Sequence, residues 1–307
     1  MLGVGLSRLD SYLSAVLRHP LSAYNLTPRL LPALTFSSVA RSSDSAKRPG
    51  PSSSTPVPLK DRTKRLRDMP THFLALPLTN TPRVVSQLAD TLPLLRNALP
   101  PDVPLQAMRP IGTIHLTLGA LHLQNDEQLE RAKRWLQEEV DVEEMLRRAG
   151  EAARVRREEE HMRDDKADAV SLEPLVVDLR SLKSMKHQPA RSAAILYLSP
   201  SDPTNRLQAF AQALHDAAVD AGLMRKPDPT RREVLLHATI VNTRYSSSGH
   251  RPTRYDFSSV ISRFEEAVWA TGVPINGVAL CKMGAKPTED GDAEYEVVAW
   301  RSPGVGN

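Results

Sequence analysis

The chain has 307 residues, 40% apolar and 25% charged, enough for a sizeable core in one large domain or two small ones. Its net charge of +4 is unevenly spread: residues 1–68 hold 11 Lys/Arg against 4 Asp/Glu, leaving 29 against 32 in the remainder. That balance argues against a broad basic face for duplex nucleic acid and favours a small ligand or a strand end.

Cys281 is the lone cysteine, so an intrachain disulfide and a cysteine-based zinc site are ruled out and a reducing, intracellular compartment is expected. No apolar run approaches the about 20 residues that span a bilayer, and no membrane partner is expected.

Residues 1–68 read as a basic, disordered leader and linker. Through residue 43 they are rich in Arg and Ser, with Asp10 the single acid. That composition fits a mitochondrial transit peptide and fits an ordinary disordered tail equally well. Ser42–Pro58 is a Ser/Pro linker. Lys60–Arg67 is either a nuclear signal or a solvated junction. The compartment therefore stays open between cytoplasm or nucleus and mitochondrion.

Residues 69–303 read as the folded domain. His72–Leu78 is a strand. Val84, Leu88, Leu92, Leu95 and Leu99 recur at helical spacing, with Pro93 expected to bend or divide the helix. Thr113–Leu121 is a strand, and Asn125 caps a helix striped by Leu129, Ala132, Leu136 and Val140. The charged stretch within about 127–170 is expected to be an insertion, a solvated and partly frayed helix with a loop. Strands follow at Leu175–Leu179 and Ser192–Leu198. A helix carries Leu207, Phe210, Ala211, Leu214 and Ala218 and is closed by Gly222. Glu233–Thr243 is a strand, residues 260–268 a helix, and Val278–Met283 and Glu294–Trp300 are strands.

The order repeats. Phe73 on one strand precedes His115 by 42 positions, and Ile195 precedes His237 by the same 42, with a helix between each time. Element order thus predicts an α+β protein of two similar lobes.

Each lobe carries one His-x-Thr: His115-Leu116-Thr117 and His237-Ala238-Thr239. With nine histidines in the chain, one such triplet is a weak signal. Two on apolar strands at matching places are a stronger one. Residues i and i+2 of a strand share a face, so each His projects beside its Thr. Paired lobes would then bring two imidazoles and two hydroxyls to one cleft. A neutral His takes a proton, a protonated His gives one, and the threonines hold phosphate oxygens. No spacing of His, Asp or Glu resembles a metal site, and neither a phosphate-cradling glycine loop nor a nucleophile elbow occurs. No cofactor or metal is implied.

These residues resemble the two-histidine (2H) phosphoesterase superfamily. Within it they look most like the central domains of A-kinase anchoring protein gamma/delta and of the activating-signal-cointegrator subunit. The likeness rests on Thr71–Asn80, His115–Leu118, Glu130–Ala132, Leu236–Thr243, Leu280–Gly284 and Tyr295–Ala299. It implies a LigT-like fold: two antiparallel sheets lining a central cleft, helices outside. It also implies catalytic His115 and His237, phosphate-binding Thr117 and Thr239, and ligands such as a nucleotide or a short single-stranded RNA end. The expected activity is metal-independent hydrolysis of a 2′,5′-linked or 2′,3′-cyclic phosphodiester. A non-catalytic AMP- or CMP-type binding module and a scaffold working through the charged insertion are the alternatives. No kinase-anchoring helix is evident before Asn307, and a monomer is expected.

Overall fold

In a computed structural model the residues described are 69–159, 174–226, 233–245 and 252–303, all within the compact unit Pro56–Asn307. The leader and the end of the charged segment, residues 160–173, lie outside them.

Eight strands form one antiparallel sheet. They are β1 (His72–Pro77), β2 (His115–Leu121), β3 (Val176–Ser184), β4 (Ile195–Ser201), β5 (Ala238–Asn242), β6 (Val268–Pro274), β7 (Val278–Lys282) and β10 (Val297–Arg301). Their order across the sheet is β10-β7-β1-β2-β5-β4-β3-β6. Two short strands, β8 (Lys286–Pro287) and β9 (Ala293–Glu294), pair with each other alone. The helices are α1 (Pro82–Ala98), α2 (Asp126–Arg134), α3 (Val142–Glu159), α4 (Leu207–Asp220) and α5 (Ser258–Arg263).

The sheet consists of two four-stranded halves that meet at the single register pair Leu116–Ala238 between β2 and β5. The duplication extends to an irregularity in the ladder. Between β1 and β2 the register jumps from Leu74–Gly119 to Ala75–Thr117. Between β4 and β5 it jumps from Leu196–Val241 to Tyr197–Thr239. Leu74 and Leu196, Ala75 and Tyr197, and Thr117 and Thr239 are each 122 residues apart. The same β-bulge therefore occupies the same place in both halves. In the first half it turns Leu118 and Gly119 toward the same layer. Leu118 is in the core, and a Cβ on Gly119 would collide with Met224 Sδ.

Chain order does not match spatial halves. The strand after the first lobe's helices, β3, pairs with β4 and β6 in the other half, whereas β7 returns to β1 and β10 adds to β7. The helices cross as well. Helix α1 lies along β6, where Gln87 Oε1 accepts from Thr271 N at 2.7 Å and Thr91 Oγ1 donates to Trp269 O at 3.1 Å. These bonds cover an otherwise open sheet edge. Helix α4 lies behind β2, where His215 Nδ1 meets Leu118 O at 3.0 Å. The single-pair seam is thus held by exchanged helices.

The main core lies between sheet and helices, where Leu74, Leu76 and Leu116 meet Leu88, Leu92, Phe210 and Leu214. A smaller apolar cluster, Phe73, Ala75, Ala279 and Cys281 with Tyr295 and Trp300 against it, covers the opposite face of the first half.

Several elements differ from expectation. Pro93 leaves α1 undivided; it and Ala89, whose carbonyl it leaves without a helical partner, are both exposed, so water can serve that oxygen. The Asn125 cap forms, its Oδ1 accepting from Gln128 N at 2.9 Å. The charged segment, however, is not merely solvated. After α2 it makes a π-helical turn, Trp135–Glu139, and then α3. Trp135, Leu136, Val140, Val142 and Ala149 join the main core, while Arg147 and Arg148 pair with Glu144 on the outside. Residues 260–268 split into the end of α5 and the start of β6, because Val268 and Trp269 continue into a strand. The strand expected from Glu233 begins only at Ala238.

Candidate functional site

On β2, Leu116 and Leu118 are buried while His115 and Thr117 are partly exposed. On β5, Ala238 and Ile240 are buried and Thr239 is partly exposed, with His237 just ahead of the strand. The Leu116–Ala238 pair sets what lies across the seam. In an antiparallel register the flanking positions oppose one another, so His115 faces Thr239 and Thr117 faces His237. All four side chains are on the face opposite the main core. Each histidine is thereby placed beside the threonine of the other motif as well as its own.

The two imidazoles are fixed in the same manner. His115 Nδ1 is 2.7 Å from Thr113 O, and His237 Nδ1 is 2.7 Å from Leu235 O. A carbonyl oxygen only accepts, so both Nδ1 atoms carry hydrogen and each neutral ring presents a lone pair on Nε2. Thr117 Oγ1, 2.9 Å from His115 Nε2, must therefore be the donor to it. Burial lowers the His115 pKa to about 4. The Thr113 carbonyl opposes the shift, and the charges of His237 and Arg109 add to it. His115 is neutral at pH 7.

Aromatic side chains enclose His115. Its ring centroid is 4.8 Å from Phe73 and 5.4 Å from Tyr295, the latter edge-on at 89°. Tyr197 stands edge-on to His237 at 5.7 Å. Beside His115 opens a pocket of about 240 Å³, lined among others by Phe73, Thr79, Asn80, Tyr295 and Trp300. Cys281 also lines it, but burial pushes its thiol up to about 12, so it is no nucleophile.

Arg109 went unnoticed in the sequence because it lies outside both motifs. Its N–H donates to Ile240 O at 2.9 Å, and Met108 bridges Val241, so this segment occupies the edge of β5 that β2 leaves open. Arg109 Nη2 donates to Tyr295 Oη at 3.1 Å, and the guanidinium lies 4.1 Å over the Tyr245 ring. Burial pushes the Tyr295 hydroxyl up to about 12, Arg109 opposing, so it stays protonated. No local sequence signal links positions 109, 245 and 295. Among the described residues no group of three His, Cys, Asp or Glu is arranged to hold a metal ion, and no helix is long and apolar enough to cross a membrane.

Duplicated half-sheets, each presenting a His-x-Thr on one face of a common seam, are the architecture of the 2H phosphoesterases. The chain belongs to the family described as the AKAP7 2′5′ RNA ligase-like domain, whose model matches residues 70–300. Among solved structures it is similar to Escherichia coli LigT complexed with 3′-AMP, at 14% identity over 76% of this chain and 97% of that one, TM-score 0.40. A phosphoesterase matches at 18% identity over 76% and 98%, TM-score 0.40. The protein TT0787 of Thermus thermophilus matches at 14% identity over 77% and 100%, TM-score 0.36. No curated protein matches the sequence. Membership makes the chain a phosphoesterase or RNA-ligase-like protein in general terms.

Proposed function

We propose that the chain is a metal-independent phosphodiesterase acting on a nucleotide or RNA-end phosphodiester, 2′,5′-linked or 2′,3′-cyclic, through its two histidines. The observation that carries this reading is the matched pair of Nδ1–carbonyl bonds. They dedicate both Nε2 atoms to proton transfer beside two threonine hydroxyls.

His115 is the base, since burial keeps its ring neutral. Substrate oxygens draw the Thr117 hydroxyl off His115 Nε2, freeing that lone pair. His115 Nε2 then takes the proton of water or a ribose hydroxyl as its oxygen attacks phosphorus. His237, in its protonated form, gives its Nε2 proton to the oxygen that leaves as its bond to phosphorus breaks. Thr117 and Thr239 donate to the non-bridging oxygens, whose charge grows in the transition state. The aromatic pocket beside His115 suits a base or ribose on one side of the bond.

The test is a panel of 2′,5′-, 3′,5′- and 2′,3′-cyclic phosphodiesters given to EDTA-treated full-length protein, with products resolved by mass. Turnover of at least one in EDTA is expected. Turnover that dies in EDTA and returns with a divalent ion contradicts the metal-free mechanism. Tight nucleotide binding with no turnover of any substrate makes the cleft a binding module.

A further inference from the structure

Among the described residues Arg109 is a charge without a counter-charge. Arg147, Arg148 and Arg180 each pair with a carboxylate, whereas among the described residues Arg109 has only a phenol and an aromatic face as partners. A guanidinium has five N–H donors in a planar fork suited to phosphate, and one of them is spent on Tyr295. The group is also held in place: its backbone is bonded to β5, and Tyr245 and Tyr295 fix the side chain from two directions.

Tyr245 is itself unusual, a large ring 56% exposed beside a concave site. One face carries Arg109, and the ring remains open to solvent. Neither Arg109 nor Tyr245 lines the pocket next to His115. Tyr295 is the partition between the two regions. Its ring stands against Phe73 and His115, and its hydroxyl reaches out to Arg109. The guanidinium and His115 thus meet different parts of Tyr295, its hydroxyl and its ring.

We propose that Arg109 and Tyr245 form a second nucleotide subsite, in which Arg109 pairs with the phosphate flanking the reacting one and Tyr245 stacks the adjoining base. The preferred substrate is then a single-stranded oligonucleotide rather than an isolated nucleotide. Base stacking on an exposed aromatic tolerates any base, so the subsite adds affinity and length preference without sequence readout. This inference rests on the phosphodiester reading above for the identity of the reacting phosphate.

The experiment compares two probes on the full chain in EDTA: a 5′-fluorescein RNA hexamer read by anisotropy over a salt series, and unlabelled 2′,3′-cyclic AMP read by calorimetry. Wild-type protein should bind the hexamer more tightly. Arg109→Met, which keeps an unbranched stem but removes the guanidinium, should weaken hexamer binding by at least about 10-fold, the loss of a charged hydrogen bond. Its salt dependence should fall by about 0.7 in log–log slope, one phosphate of a single strand. Cyclic AMP affinity should stay within about twofold. Arg109→Lys should restore the salt slope but not the full affinity, because it keeps charge without the fork. Tyr245→Ala should cost the hexamer about 5- to 100-fold, and Tyr245→Phe should restore it.

Equal losses for both probes would put Arg109 on the reacting phosphate and overturn the proposal. So would hexamer binding indifferent to Arg109→Met. Hexamer binding that responds as stated, in a protein that cleaves no phosphodiester, would support the subsite while sinking the catalytic reading.

Discussion

Leu116 and Ala238 face one another in the single pair that joins the two halves of the sheet, and both side chains are fully buried. One contact between two apolar residues thereby sets the positions of four polar ones. His115 and Thr117 flank Leu116, His237 and Thr239 flank Ala238, and all four emerge on the other face. With so little pairing at the seam, the crossed helices carry the alignment: α1 on β6 and α4 behind β2.

The depressed His115 pKa makes stability depend on pH. Its folded value, about 4, is below the 6.5 of an unperturbed histidine, so the unfolded chain binds the extra proton between those values. The contribution is complete above pH 6.5 and is lost as pH falls toward 4, to an extent of about 3 kcal/mol at roughly 1.4 kcal/mol per pH unit. Urea melts of wild type and His115→Asn over this range should converge or cross as the pH drops, the variant lacking this component. Parallel curves would mean that His115 is not held neutral.

The threonines should respond unequally. Thr239→Ala removes a donor to phosphate and is expected to weaken ligand binding and turnover by about 1.5–3 kcal/mol. Thr117→Ala removes the same kind of donor but also the hydroxyl on His115 Nε2 at 2.9 Å. It should therefore shift the acid limb of kcat/KM as well, while Thr239→Ala leaves that limb in place. Matching pH profiles for the two variants would show that the Thr117 bond does not tune the base.

Gly119 offers a test of the repeated bulge. A Cβ there meets Met224 Sδ and is 3.3 Å from His215 Nδ1. Gly119→Ala should destabilise by about 1–3 kcal/mol, as overpacking does, and Met224→Ala should relieve most of that in the double variant. Additive effects in a thermal-melt cycle would contradict the packing of Met224 behind the bulge.

Much of this was legible in the chain. Local rules located β1, β2, the Asn125 cap and α4 with Gly222 at φ +69°, since each depends on neighbours in sequence. The equal 42-residue spacings pointed to a duplication that the two matching bulges bear out. What depended on distant partners was hidden. Arg109 meets Tyr295 across 186 positions, and nothing around either residue announces the other. Val268 fits a helical stripe as well as a strand, and only pairing with β3 decides between them. The stripe through Leu136 and Val140 was legible, but the charge of segment 127–168 masked that Trp135, Val142 and Ala149 are buried as well, because few apolar residues suffice when each is placed on the inner face.

The central claim, that His115 and His237 act as one acid–base unit, is tested most directly by a cycle of His115→Ala, His237→Ala and the double variant, with kcat and kcat/KM followed from pH 4 to 9 in EDTA. Each single variant should lose roughly 10²-fold or more in turnover, and the double variant should be little worse than either. The wild-type profile should be bell-shaped, its limbs belonging to the pair, with the acid limb of kcat/KM well below 6.5 because His115 is held near 4 in the free protein. Full activity in His115→Ala, or losses that simply multiply in the double variant, would contradict the paired-histidine account.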